Sequence, residues 1–237
     1  MNASATHVTS SLSVLNTAPA RKPRNLALRW AVVGLALAAV VLYAVSYTQP
    51  WWNITLFAPQ YPKGLSVTIS LTGVSGDVGE INTLNHYIGM AKLEEAAPVE
   101  RRLAGWGVAA VGILVLALSL LSGRRLSALM MVPGMLFPTL FIVDNMYWMH
   151  RFGNNLDPKA PLKIPPFTPS MFGEGVIAQF RTFATPQLGF WLVLVALGLL
   201  TVAFYLRRRV CASCSRAGSC GAVCPSALVG PGAGLAR

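Results

Sequence analysis

Two short strings hold the side chains best suited to bind something. Asn85-His86-Tyr87-Ile88-Gly89-Met90 sets an imidazole and a thioether four residues apart, and Met146-Tyr147-Trp148-Met149-His150 repeats the pairing in reverse order. On a helix, positions i and i+4 share a face, so His86 with Met90, and Met146 with His150, each form a two-donor edge. Thioether sulfur selects Cu(I), and imidazole accepts both copper oxidation states. A centre built from His86, Met90, Met146, Met149 and His150 is therefore expected to take copper. The same donors also suit axial ligation of haem; the chain has no Cys-x-x-Cys-His, which excludes covalent c-type haem and leaves b-type open. Packing is the competing account, because methionine fills irregular space and histidine is common at membrane surfaces.

The other reactive side chains are less organised. All four cysteines lie near the end, at Cys211, Cys214, Cys220 and Cys224, followed by Pro225. Four thiolates suit zinc or an iron–sulfur cluster, but the five-residue gap fits no ferredoxin spacing and the surrounding Gly, Ala and Ser cannot build a core, so an incidental tail is expected. Met131 and Met135 also stand at i and i+4, next to Pro133, where packing is the expectation. Asp77, Glu80, Glu94, Glu95 and Glu100 read as solvated acids with local ion pairs. No histidine stands beside a marked Ser or Cys, so no nucleophile–base pair is expected and the chain does not read as an enzyme. Asn53-Ile54-Thr55 is a formal glycosylation sequon, meaningful only in a eukaryotic source.

The elements that must position these residues are long apolar runs. Residues 26–47, 103–121, 126–143 and 188–206 are each 18 to 22 residues long. About 20 residues at 1.5 Å per residue cross the roughly 30 Å hydrocarbon layer, so the expectation is an all-α membrane protein with four transmembrane helices and a small α+β outer cap. Within the run 126–143, Pro133, Gly134 and Pro138 predict a kink whose freed carbonyls need a neighbouring helix.

Charge sets the orientation. The arm 1–25 together with Arg29, the link 122–125 and the tail 207–237 carry eleven basic residues and no acid, whereas all eight acids fall in segments 48–102 and 144–187. By the positive-inside rule both termini face the cytoplasm and the two acid-bearing segments lie outside. The net charge of +11 is then a feature of helix ends facing anionic lipid, and no nucleic-acid partner is needed to account for it. Intramembrane acids are lacking apart from Asp144 at the end of the third run, which counts against an ion-coupled transporter.

Residues 1–20 read as a disordered lead-in. In the first outer segment Trp51 and Trp52 are expected to anchor at headgroup depth. Residues 52–57 and 65–72 alternate apolar and polar side chains and predict two strands, followed by a Gly-rich loop over 73–79 and a helix over 80–95. This cap is expected to pack on the helices, since it is too small to fold alone. In the second outer segment Asp144–Phe152 extends the third helix, while Pro158, Pro161, Pro165, Pro166 and Pro169 predict irregular chain.

The stretches from Phe57 to Leu65 and from Gly76 to Met90 resemble a family of bacterial multi-pass membrane proteins encoded among accessory genes of nitrous-oxide reductase and other respiratory copper enzymes. The likeness falls within a span of about 35 of the 237 residues. It implies an inner-membrane accessory protein that supports assembly of, or copper or electron supply to, an exported metalloenzyme, and it puts weight on His86 and Met90. A structural subunit of a larger membrane complex and a small permease subunit are the alternatives.

Overall fold

The centre of the fold is the strand that the first outer segment builds from its alternating residues. In the computed structural model, which describes residues 26–121, 131–177 and 180–212, this strand, β1 (Trp52–Ala58), pairs antiparallel on both sides. On one side lies β2 (Tyr61–Ser70), itself joined to β3 (Gly73–Gly76). On the other lies β5 (Phe180–Pro186), joined to β4 (Gly173–Ile177). The result is one five-stranded sheet in the order β3-β2-β1-β5-β4, assembled from both outer segments. Its inner face carries Ile54, Leu56, Val67, Ile69, Phe180 and Thr182, as the period-two rule requires for a half-buried sheet.

Among the described residues five α-helices accompany the sheet. The chain enters through α1 (Leu26–Tyr47), and α2 (Val78–Ile88) follows β3. A single 3-10 turn, Leu93–Glu95, then leads to α3 (Pro98–Leu121), which begins with proline, whose missing N–H costs nothing in a first turn, and has Glu100 there to meet the helix dipole. After α4 (Met131–Asn154), an extended Pro-rich strap leads to β4, and α5 (Leu188–Ala212) leaves the sheet. α1 ends at the sheet and α5 begins there, so their far ends lie together on the opposite side.

Three of these helices are long and apolar enough to cross a membrane: Ala27–Tyr47, Pro98–Leu120 and Leu188–Arg207. Their outward faces bear large exposed apolar side chains, among them Trp30, Val41, Trp106, Ile113 and Val195, which suit lipid rather than water. The chain is a membrane protein. It is not all-α, and four spanning helices are not found among the described residues. The third expected span, 126–143, corresponds to α4, whose described apolar part runs only from Met131 to Val143, about 20 Å at 1.5 Å per residue. From Asp144 onward it is polar and forms a wall of the cap, so half of α4 lies beside the bundle and half beside the sheet. Residues 1–25, the link 122–125, the expected start of the third run at 126–130, and Cys214, Cys220 and Cys224 lie outside the described residues.

Bundle and cap share one core. Buried residues of α1, α3 and α5, including Val32, Tyr43, Val115 and Leu200, are continuous with Trp51, Trp52, Met149, Met171 and Ala184. Trp51 and Trp52 are fully buried, so their side chains pack inside the protein instead of facing lipid headgroups. The Trp51 indole donates to the Ser46 carbonyl (2.9 Å) and packs on Phe137, Phe141 and Phe190; the Trp52 indole donates to the Met171 carbonyl (3.0 Å). Because the chain turns from α1 straight into the central strand, these two side chains are driven between sheet and bundle rather than along the interface. The carbonyl freed by Pro138 has a partner on a neighbouring helix, as expected: Pro138 has no N–H to give Gly134, and the Gly134 carbonyl accepts the Tyr43 hydroxyl from α1 at 3.1 Å.

Candidate functional site

Beneath the inner face of the sheet lies an apolar chamber of about 230 Å³. Ile54, Leu56, Val67 and Ile69 form one wall, and Ile81, Leu84, Asn85 and Ile88 of α2 a second. The start of α3 contributes Glu100, Arg101 and Ala104; the cap half of α4 contributes Asp144, Asn145, Trp148, Met149 and Phe152, with Phe141 just below. The strap closes the water side with Phe167 and Pro169. Backbone bonds pin the strap across α2 and α4: Asp157 N–H to the Gly89 carbonyl (2.8 Å), Leu162 N–H to the Tyr87 carbonyl (2.9 Å) and Phe167 N–H to the Gly153 carbonyl (3.0 Å).

The polar atoms of this lining are what set it apart. Among the described residues, the buried side-chain nitrogen and oxygen atoms without a hydrogen-bond partner are Asn85 Nδ2, Asn145 Nδ2, Trp148 Nε1 and Thr182 Oγ1, and all four residues line the chamber. They come from three elements, α2, α4 and β5. A buried polar group left unpaired costs about 1–3 kcal/mol, and folded proteins keep such groups few. Four around one apolar space form a binding-site pattern: an apolar volume with a few convergent polar groups.

Charge in the lining is arranged differently. Burial pushes the Asp144 carboxyl above the ordinary carboxylate value, and the negative charge of Glu100 adds to the shift; the Trp148 indole N–H opposes it from nearby, although it lacks the geometry of a formed hydrogen bond. The Arg101 guanidinium is already engaged. Its Nε donates to the Ala97 carbonyl (3.3 Å) and its Nη2 to the carbonyls of Glu94 and Ala96, so it fastens the turn before α3. Glu94 itself is exposed; the Asn82 amide that donates to it (2.7 Å) is the main cause holding its carboxyl below the usual value.

The five expected metal ligands divide between two environments. Met90 and Met149 line the chamber. His86, Met146 and His150 are exposed and form no part of its lining. His86 and Met90 do not share a helix face, because α2 ends at Ile88 and Gly89 turns left-handed (φ 77°), carrying Met90 off the helix axis. Met146 and His150 do share an exposed face of α4, and the His150 Nδ1 lies 3.1 Å from both Thr168 Oγ1 and Asn154 Nδ2. Among the described residues no three His, Cys, Asp or Glu side chains come together as a metal centre.

Sequence reading passed over Asn85, Asn145, Trp148 and Thr182. A usable signal was present for most of them. Asn85 is the polar member of the stripe Ile81, Asn85, Ile88, and Asn145 with Trp148 interrupts the stripe Phe141, Met149, Phe152 at helical spacing. Thr182 alternates with Phe180 and Ala184 along β5. No protein-family model matches this chain, and no curated protein is similar enough to count as a relative.

Proposed function

We propose that this is a membrane-anchored binding protein whose cap takes a lipid-soluble small molecule from the bilayer and holds it at the membrane surface. The carrying observation is the coincidence of one apolar chamber with the four unpartnered buried polar atoms, all on residues that line it. The position of the chamber supports delivery from lipid. Its lining reaches down to Ala104 and Phe141, which neighbour the exposed Leu103 and Leu140, and α4 packs chiefly on α5 and only lightly on α3, leaving a seam between α3 and α4. The strap covers the other side.

The excess of basic residues away from the cap supports an orientation with the cap outside a bacterial inner membrane and both termini cytoplasmic. In that setting, the one implied by the likeness around Asn85–Met90, the bound molecule would serve an exported respiratory enzyme. The test is native mass spectrometry of the full chain purified in detergent after exposure to a total membrane-lipid extract. Wild type is expected to retain an apolar small molecule, and Asn85→Leu/Asn145→Leu to lose it while still unfolding in one cooperative transition. Retention of nothing by wild type, or equal retention by both proteins, overturns the reading.

A further inference from the structure

Resting on that reading, we infer that the chamber selects a neutral lipid with a planar, carbonyl-bearing ring, that is, a molecule of the quinone class. The head group follows from the hydrogen-bonding inventory. Asn85 Nδ2, Asn145 Nδ2 and Trp148 Nε1 are N–H donors, so the ligand must present acceptors. Those acceptors cannot carry full negative charge. Among the described lining residues the one cation, Arg101, is engaged with three backbone carbonyls, and the carboxyl groups of Asp144 and Glu100 disfavour an anion. A fatty-acid carboxylate or a phospholipid phosphate therefore meets unfavourable electrostatics that a neutral ketone oxygen does not.

Ring shape follows from the walls. Phe141, Trp148, Phe152, Phe167 and Phe180 surround the space from α4, the strap and β5, and aromatic side chains pack best on another flat ring, face to face with an offset or edge to face. The donors stand on α2 and on α4, separate elements of the lining, which suits a ring with carbonyls on two edges better than an ester with a single polar end. A chamber of about 230 Å³ takes a ring and the start of its tail, and the seam between α3 and α4 leaves the remainder of an isoprenoid chain in the bilayer.

The experiment compares three probes on the full chain in detergent: a decyl-substituted benzoquinone, decylbenzene (the same tail and ring without carbonyls) and palmitate. Ligand that binds only the folded protein raises the thermal midpoint in a saturable, concentration-dependent way. The quinone is expected to do so with at least tenfold higher affinity than either other probe. Asn145→Leu and, separately, Asn85→Leu should each weaken the quinone about tenfold or more while leaving decylbenzene unchanged. Equal binding of quinone and decylbenzene, or preference for palmitate, overturns the quinone assignment but keeps the lipid-binding reading. Failure of all three to bind overturns both. Should Asn145→Leu not fold, the Asn85→Leu arm carries the same comparison.

Discussion

Asp144 shows how a single side chain can report on the chamber. It stands on α4 just past the apolar half, outside the three spanning helices, with Asn145 and Trp148 beside it and Glu100 across from it on α3. Its carboxyl titrates above the ordinary value first because burial penalises the charged form and then because Glu100 is negative. A carboxyl with a raised folded pKa binds its proton more tightly in the folded than in the unfolded protein. Its stabilising contribution is complete below the unfolded value and is lost as pH rises through the folded one. The wild-type midpoint should therefore fall, relative to Asp144→Asn, as pH is raised from about 4 to about 7, with the two proteins diverging most at the upper end. Thermal melts of both proteins across that range check this. Parallel curves would mean that Asp144 is hydrated like any surface acid.

At the level of elements, the strap and α2 depend on one another through Gly89. Gly89 ends α2 in the left-handed region, and a β-carbon there would sit 2.8 Å from Asp157 N, Asp157 O and Ala160 Cβ. Gly89→Ala thus adds backbone strain to a steric clash and should cost about 1–3 kcal/mol, the range for a strained residue. Limited proteolysis within 155–169 is expected to speed up markedly in the variant; an unchanged rate would show that the strap holds without this contact. The same elements show what could be read without a structure. β1 and β2 were visible because their residues alternate, and the Gly134 carbonyl's need for a partner followed from Pro138. β5 has the same alternation, Phe180-Arg181-Thr182-Phe183-Ala184, but it stands after five prolines, and its pairing with β1 spans more than a hundred residues of chain. A short strand gains its stability from a distant partner, so local pattern alone underweights it. The chamber was hidden for the same reason. Asn85, Asn145 and Thr182 are ordinary residues in three separate segments, and they become a site only when the sheet closes over α4.

Taken as a whole molecule, the cap is not a separable domain, because its central strand has one neighbour before and one after the α3–α4 pair in the sequence. β1 and β2 lie before α3, and β5 lies after α4. A fragment covering residues 48–97 would keep the β1–β2–β3 pairs and α2 but lose β5, leaving the other side of β1 as an unpaired edge with an apolar inner face. It would also strand Trp51 and Trp52, whose partners Phe137, Phe141, Phe172 and Phe190 all lie beyond its end. Removing a buried tryptophan's surroundings forfeits about as much as truncating it, roughly 3–5 kcal/mol for each. The small cluster that remains around Leu65, Val67 and Ile81 is too slight to offset two such losses together with the ordering of fifty residues. The fragment is therefore expected to show no cooperative thermal transition and to associate in solution. A sharp, concentration-independent melt of the isolated piece would mean that the cap folds first and the bundle merely carries it.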